Sequence, residues 1–329
     1  MPDSRRPVLV TRRLPQPALD RIAEHCDMTL YDGPGAMPRD ELLAAIRGKA
    51  GAVTLLTDKV DDEFLDAAGP GLRIVANYAV GFDNIDVPAC TARGVMASNT
   101  PDVLTETTAD TAWALMMAAA RRVPEGDRFL RRREPWIWGP LMMLGQDVHH
   151  QTMGIVGFGR IGHALARRAR GFGMRVLYFD VYRPSSELEA ELGAEYRDLD
   201  DLLAESDFVS LHVNLTEETR HLMNAERLRQ MKPTAVLVNT SRGPVIDEAA
   251  LAEALRDGVI FAAGLDVFEK EPEVNPALLE LENAVLIPHL GSATVDTRIA
   301  MGLLAADNLI AALDGERPPT LLNPDLLER

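Results

Sequence analysis

The chain has 329 residues, 47% of them hydrophobic, with 34 Lys and Arg against 50 Asp and Glu and a formal charge of −16. That length and apolar content can bury a sizeable core and favour two domains, while the negative balance repels phosphate backbones and anionic surfaces and so excludes nucleic acid and membrane as main partners. Cys26 and Cys90 are the only cysteines, with no CxxC pair, which excludes a disulfide framework and a cysteine-rich zinc site.

The amino terminus, MPDSRRPVLV, lacks the apolar core of a signal peptide. The most apolar helical stretch, Ala112 to Ala120, falls far short of the roughly 20 residues that cross a bilayer. The expectation is a soluble, cytoplasmic protein. From the start of the chain, short β-branched runs alternate with helical patterns: PVLVT, a helix around Pro17 to Glu24, then AVTLLT, LRIVANYAV and GVMASN. Strands separated by helices imply a parallel sheet. Thr100-Pro101 breaks the rhythm, and Asp102 is placed to cap a long apolar helix running to about Arg122. A domain boundary is expected there, giving a first domain over residues 1–100.

Residues 123–150 show no clean helical or strand period and cluster Trp136, Trp138, Leu141, Met142, Met143 and Leu144. Either they pack on the protein's own core or they form an arm that embraces a second subunit; a contiguous apolar patch favours the arm, and with it a homodimer. From Thr152 the alternation resumes with TMGIVG, a helix over Arg160 to Gly171, RVLYFD, a helix near Asp198 to Glu205, then DFVSLHV, AVLVNT, AAGLDVF and AVLIPH. These predict a second sheet, within a domain over residues 101–289. A helical pattern from Thr294 to about Leu313 and Pro318-Pro319 complete the chain. Too short for a third domain, residues 290–329 are expected to return to the first. The fold class so read is α/β, two doubly wound parallel-sheet (Rossmann-like) domains with a cleft between them.

Gly157, Gly159 and Gly162 form a GxGxxG that follows the strand TMGIV and opens the helix over RIGHALARRA. A lone motif of this kind is weak, but its context is the one a dinucleotide needs: a tight turn at Gly157, close backbone approach at Gly159, close helix packing at Gly162, and a helix amino terminus facing a pyrophosphate. The next strand ends in Asp180, whose carboxylate accepts hydrogen bonds from ribose hydroxyls and repels a 2′-phosphate. The cofactor expected is NAD. Arg183 leaves NADP as the alternative, since it either holds that phosphate or is an ordinary solvated side chain.

Three later strands end near different catalytic-type side chains: Arg242 after AVLVNT, Glu271 beyond FAAGLDVF, and His289 after AVLIP. Singly each has a bland reading: a turn cap, a solvated EKEPE face, a bend. Together, at successive strand ends of a nucleotide-binding sheet, they suit hydride transfer to a 2-keto acid. Arg242 can grip a carboxylate or polarise a carbonyl, His289 can donate the proton, and Glu271 can favour the charged imidazole. His149 and His150 lie in an expected loop and His212 inside an expected strand, so they fit that role less well. No metal-ligand spacing is evident, and neither Ser241 nor Cys90 neighbours a base in a recognisable motif.

ANYAVGFDNID, NTPDVLTETTAD, GIVGFGRIG, NTSRGPVID, GLDVFEKEP and PHLGSAT span nearly the whole chain and resemble the D-2-hydroxyacid dehydrogenases, and among them most the glyoxylate/hydroxypyruvate reductases. The resemblance implies NAD(P)H-dependent reduction of a small 2-keto acid, with catalytic residues Arg242, Glu271 and His289. It implies substrate contacts from Val80, Gly81, Arg242 and Ser292, and from Trp138 reaching into a partner subunit's site. It places the cofactor against Thr105, Gly157, Gly159, Arg160, Ile161, Gly162, Asp180, Thr240, Ser241, Asp266, His289 and Gly291. Residues 1–100 with 290–329 would be the substrate-binding domain and 101–289 the NAD-binding domain. Asn214 departs from the proline common in the family, and Glu271 separates the chain from formate dehydrogenases, which carry glutamine there. Reductases of other 2-keto acids and the C-terminal-binding corepressors, which use the dinucleotide as a ligand, are the rival readings.

Overall fold

Buried β-branched runs build two parallel sheets. In a computed structural model that describes residues 5–133 and 135–327, the chain divides into two units, residues 1–104 with 293–329, and residues 105–292. The first unit contains β1 (Arg6–Val10), β2 (Cys26–Leu30), β3 (Gly51–Thr54), β4 (Ile74–Asn77) and β5 (Met96–Ser98) in the order β2-β1-β3-β4-β5. All of its strand pairs are parallel. Val8, Leu9 and Val10 are fully buried, as are all four residues of β3 and of β4, which is the burial expected of strands covered on both faces.

The carboxyl-terminal helix Val295–Asp314 packs on β3, β4 and the helix Gln16–His25, so the tail belongs to this unit. It starts where the Thr294 hydroxyl accepts the Thr297 N–H and stops at Gly315 in the left-handed conformation. The segment after it covers the exposed edge of β5. Leu321 bridges Ser98 antiparallel, and the buried Asn323 side chain accepts the Ala97 N–H at 3.0 Å while donating to Val95 O at 2.9 Å and Thr91 Oγ1 at 3.0 Å. An uncovered edge strand is a template for pairing with other chains, so this side chain both stabilises and insulates the sheet.

The second unit contains β6 (Thr152–Val156), β7 (Arg175–Phe179), β8 (Ala194–Tyr196), β9 (Phe208–Leu211), β10 (Val236–Asn239), β11 (Ala262–Leu265) and β12 (Ala284–Leu286). Their order is β12-β11-β10-β9-β6-β7-β8, all parallel. This is the doubly wound dinucleotide-binding topology, with the chain reversing its direction of travel across the sheet between β6 and β9. The helix Thr105–Ala120 covers β10 and β11 through Ala112, Leu115 and Met116.

Several local expectations are corrected. β2 and β8 have no counterpart in the sequence reading: CDMTL follows a helix without a turn residue and alternates buried with exposed side chains as an edge strand, and AEY is only three residues long. The long apolar helix begins at Thr105 instead of just after Asp102, which takes a left-handed backbone (φ 69°) of the kind aspartate tolerates. Val123–Arg131, inside the segment read as lacking a clean period, is an amphipathic helix with Pro124 in its first turn. His212 lies beyond the end of β9, not within it. Among the described residues, no helix is long and apolar enough to cross a membrane.

Replacing Asn323 with Ala should strand a buried amide of β5 and a buried carbonyl. The expected cost is about 3 kcal/mol, read as a lower midpoint in urea unfolding; an unchanged midpoint would mean the tail adds nothing to the sheet.

Candidate active site

The glycine turn after β6 sits at the point where the sheet changes direction. Gly157 has φ +94°, and a Cβ there would lie 2.6 Å from the His212 carbonyl, so no other residue lets the two strand ends meet. Gly159 precedes the helix Arg160–Gly171 and is exposed, no side chain caps that helix, and a Cβ on Gly159 would meet nothing within 4 Å. That open space over the helix amino terminus is the approach a pyrophosphate requires. Gly162 is buried, and a Cβ on it would come within 2.5 Å of the Gly157 carbonyl oxygen.

Asp180 follows β7 and braces this turn: Oδ2 accepts the Phe158 N–H at 2.6 Å and Oδ1 accepts the Tyr182 N–H at 2.9 Å. A carboxylate offers about four acceptor positions, so two remain for ribose hydroxyls. Phe158 in turn stacks on Tyr178 with ring centroids 4.1 Å apart. Arg183 is not a plain solvated side chain. Its guanidinium lies over the Tyr196 ring, 4.2 Å from the centroid, and 3.7 Å from the Glu189 carboxylate. The glycines, the uncapped helix and Asp180 together fit a nicotinamide dinucleotide.

Farther along the same sheet edge, the neighbouring strands β10, β11 and β12 deliver the titratable groups. His289 lies three residues past β12 at φ 54°, a left-handed conformation costly for histidine, held because its N–H donates to Asp266 O at 2.9 Å. Its Nδ1 faces Glu271 Oε2 at 2.9 Å, which directs Nε2 away from the carboxylate. Glu271 Oε1 accepts the Phe268 N–H at 3.0 Å. Burial pushes the Glu271 carboxyl up, but the hydrogen bond and charge of His289, the Phe268 amide and the Arg242 charge together hold it below the usual carboxylate range. Its pairing is therefore fully present above the ordinary carboxylate pKa and is lost only as the pH falls through the lowered value.

Asp266, fully buried at the end of β11, accepts the Leu290 and Gly291 amides with its two carboxylate oxygens. Burial pushes its carboxyl up, against those amides and the His289 charge. It fixes the backbone on either side of Leu290 and so aims His289. Arg242 follows the turn after β10 and is half-buried, its Nη1 donating to Ser241 O at 2.9 Å.

The structure thus gathers Arg242, Asp266, Glu271, His289 and Gly291 at one place, and Gly157, Gly159, Arg160, Ile161, Gly162 and Asp180 at another on the same sheet. Thr240, whose buried Oγ1 has no hydrogen-bond partner among the described residues, and Ser241 precede Arg242, while Thr105 begins the helix behind β10. Ser292 is the last residue of this unit. Val80 and Gly81 lie in the other unit, on the loop after β4. Trp138 is 76% exposed. Burial pushes the Cys90 thiol up to about 12, which removes it as a nucleophile.

Three supporting residues escaped the sequence reading. Asn239 at the end of β10 clamps the catalytic turn, its Oδ1 accepting Ser241 N–H and Oγ–H and its Nδ2 donating to Arg242 O at 2.9 Å. Asparagine before a turn was the available signal. Gly243 brings this turn onto the backbone of Phe268 and Glu269, where a Cβ would come within 1.9 Å. Glu248, buried at the start of a helix, accepts the Glu269 N–H, and Glu269 pairs with His221. Nothing in the sequence distinguishes that glutamate from a solvated one.

A doubly wound sheet with a fingerprint turn, an acidic residue after its second strand, and an arginine, glutamate and histidine at neighbouring strand ends defines an NAD(P)-dependent oxidoreductase. Residues 113–291 match the D-isomer specific 2-hydroxyacid dehydrogenase NAD binding domain, and the chain belongs to that family. It is 52% identical to a glyoxylate reductase of Thermococcus kodakarensis over 98% of this chain and 97% of the relative. A crystal structure of a Thermus thermophilus protein superposes with a TM-score of 0.89 at 44% identity, covering 96% of this chain and 99% of that one. An NADPH-dependent glyoxylate/hydroxypyruvate reductase from Sinorhizobium meliloti, solved with NADP and malonate, superposes with a TM-score of 0.85 at 36% identity over 97% of each chain.

Two glycine substitutions separate binding from folding. Gly159→Ala is expected to leave the melting temperature unchanged and to weaken NADH at least about tenfold, roughly 1.4 kcal/mol, in a fluorescence titration. Gly157→Ala should lower the melting temperature itself. Equal NADH affinity in the Gly159 variant would mean the dinucleotide lies elsewhere.

Proposed function

We propose that the chain reduces glyoxylate and hydroxypyruvate to glycolate and D-glycerate, using NADH in preference to NADPH and His289 as proton donor. The observation that carries this reading is the His289 Nδ1 to Glu271 contact of 2.9 Å at the strand ends that also present Arg242 and Asp266. The names borne by the T. kodakarensis and S. meliloti relatives support the substrate class. Asp180 supports NAD, since a carboxylate at that position opposes a 2′-phosphate.

When bound, reduced nicotinamide supplies hydride to the carbonyl carbon. The chain's own residues do the rest. With Nδ1–H bonded to Glu271, the protonated His289 presents Nε2–H to the carbonyl oxygen and releases that proton as the alkoxide charge develops. Glu271 stabilises the imidazolium and fixes the ring. The Arg242 guanidinium, with its forked donors, polarises the same carbonyl and orients the substrate. In the other unit, the Val80 and Gly81 amides hold the substrate carboxylate, and Ser292 assists. Residues 105–292 act as the dinucleotide-binding domain and the remainder as the substrate-binding domain.

Trp136, Ile137, Trp138 and Leu141 are 53, 93, 76 and 81% exposed, so the arm they form is uncovered in a single chain. The occupant that fits is the same arm region of a second copy, making a homodimer in which Trp138 reaches the partner subunit's site.

His289→Asn should lower kcat for glyoxylate by about 10³-fold while NADH binds as before; Arg242→Lys should chiefly raise KM. Turnover unchanged in the histidine variant would remove the acid assignment. Initial rates with glyoxylate, hydroxypyruvate and pyruvate, each with both cofactors, test the substrate and cofactor choice: fastest reduction of pyruvate, or a preference for NADPH, would overturn it. Light scattering should give twice the 36.0 kDa chain mass, falling to one chain on Ile137→Ser combined with Leu141→Ser; a wild-type monomer would refute the dimer.

A further inference from the structure

The loop after β4 has an unusual arrangement of backbone polarity. Three successive carbonyls are each tied back into the first unit: Ala79 O accepts the Thr100 N–H at 2.8 Å, Val80 O accepts Asn99 Nδ2 at 2.8 Å, and Gly81 O accepts Asn77 Nδ2 at 3.0 Å. In a trans peptide the N–H points opposite to the carbonyl of the same plane. Fixing those three oxygens therefore turns the N–H groups of Val80, Gly81 and Phe82 outward. None of these three amides donates to an acceptor among the described residues. Val80 and Gly81 are half-buried and Phe82 is exposed, so the amides are reachable.

Asn77 is the keystone because its own orientation is forced. It is fully buried at the end of β4, and its Oδ1 accepts the Thr54 hydroxyl at 3.1 Å, which directs Nδ2 toward Gly81 O. Asn84 packs against the same amide and donates to Leu55 O at 3.0 Å and Asp58 O at 2.9 Å, anchoring the loop after β3 to the loop after β4. Convergent amides of this kind form an anion-binding concavity whose donors need no reorganisation when a carboxylate arrives.

We propose that Asn77 is a positioning residue for substrate: by pinning the Gly81 carbonyl, in concert with Asn99 and the Thr100 amide, it holds the Val80–Phe82 amides aimed at the carboxylate of a 2-oxo acid. This deepens the reductase reading and rests on it for the identity of the carboxylate. Neither Asn77 nor Thr54 touches substrate; both act through the loop.

The test uses the full chain and oxalate as an unreactive carboxylate probe. Asn77→Asp keeps the side-chain shape but places an acceptor against Gly81 O. It should raise KM for glyoxylate and Kd for oxalate together, by about tenfold or more, with kcat within about threefold and NADH affinity unchanged. Thr54→Val, which removes one of the two donors that orient the Asn77 amide and preserves volume, should raise both by about threefold; it decides the matter if the aspartate variant does not fold. Oxalate affinity unchanged in the folded variants, or a wild-type protein that does not bind oxalate, overturns the inference. A wild-type protein that binds oxalate through this loop yet reduces no 2-oxo acid removes the reductase reading and leaves the role of Asn77 standing.

Discussion

Backbone must touch backbone at the carboxyl edge of the second sheet, and the site depends on that contact. Gly243 lies against the Phe268–Glu269 peptide and Gly157 against the His212 carbonyl, both closer than any Cβ permits. The first approach locks the Arg242 turn to the loop that carries Glu271. The second closes the switch point of the sheet under the dinucleotide turn. With strands roughly 4.8 Å apart, loops leaving adjacent strands diverge unless something this small lets them stay together. A histidine and a glutamate 18 residues apart in sequence meet at 2.9 Å on the loops that leave the neighbouring strands β12 and β11.

Around this constraint the chain places a set of buried polar side chains whose work is to orient other groups. Asp266 spends both oxygens on the amides that follow His289, Asn239 holds the turn before Arg242, and Glu248 holds the loop before Glu271. Each is buried and hydrogen-bonded to backbone, so the cost of burial is offset by amides that would otherwise lack a partner. In the first unit Asn77, Asn84 and Asn323 do the same for strand ends and a sheet edge. A strongly acidic chain thus creates local positive potential for an anionic substrate from peptide dipoles and single arginines, not from its overall field.

The electrostatics divide the labour of the carboxylates. Glu271 is held ionised by its partners, and Asp266 is pushed up by burial while its geometry serves the backbone. Glu248, also pushed up by burial, is structural. As the pH falls, Glu248 therefore takes up its proton before Glu271, the carboxylate that faces the imidazole.

The sequence by itself determined the sheet class, the dinucleotide turn and the identity of the titratable groups, because short β-branched apolar runs, glycine spacing and strand-end chemistry are local properties. It also carried the helix that starts near Thr294 and the acidic residue at Asp180. It could not give the edge strands β2 and β8, whose residues are too few or too polar to announce burial, nor the helix over Val123–Arg131, none of whose residues is fully buried. Only the tertiary structure decided that Glu248 is buried and Glu273 is not, that Asn77 turns a loop's amides outward, and that Arg183 rests on a tyrosine ring. Those outcomes depend on which distant segments pack against a side chain, and residue type alone does not encode its neighbours.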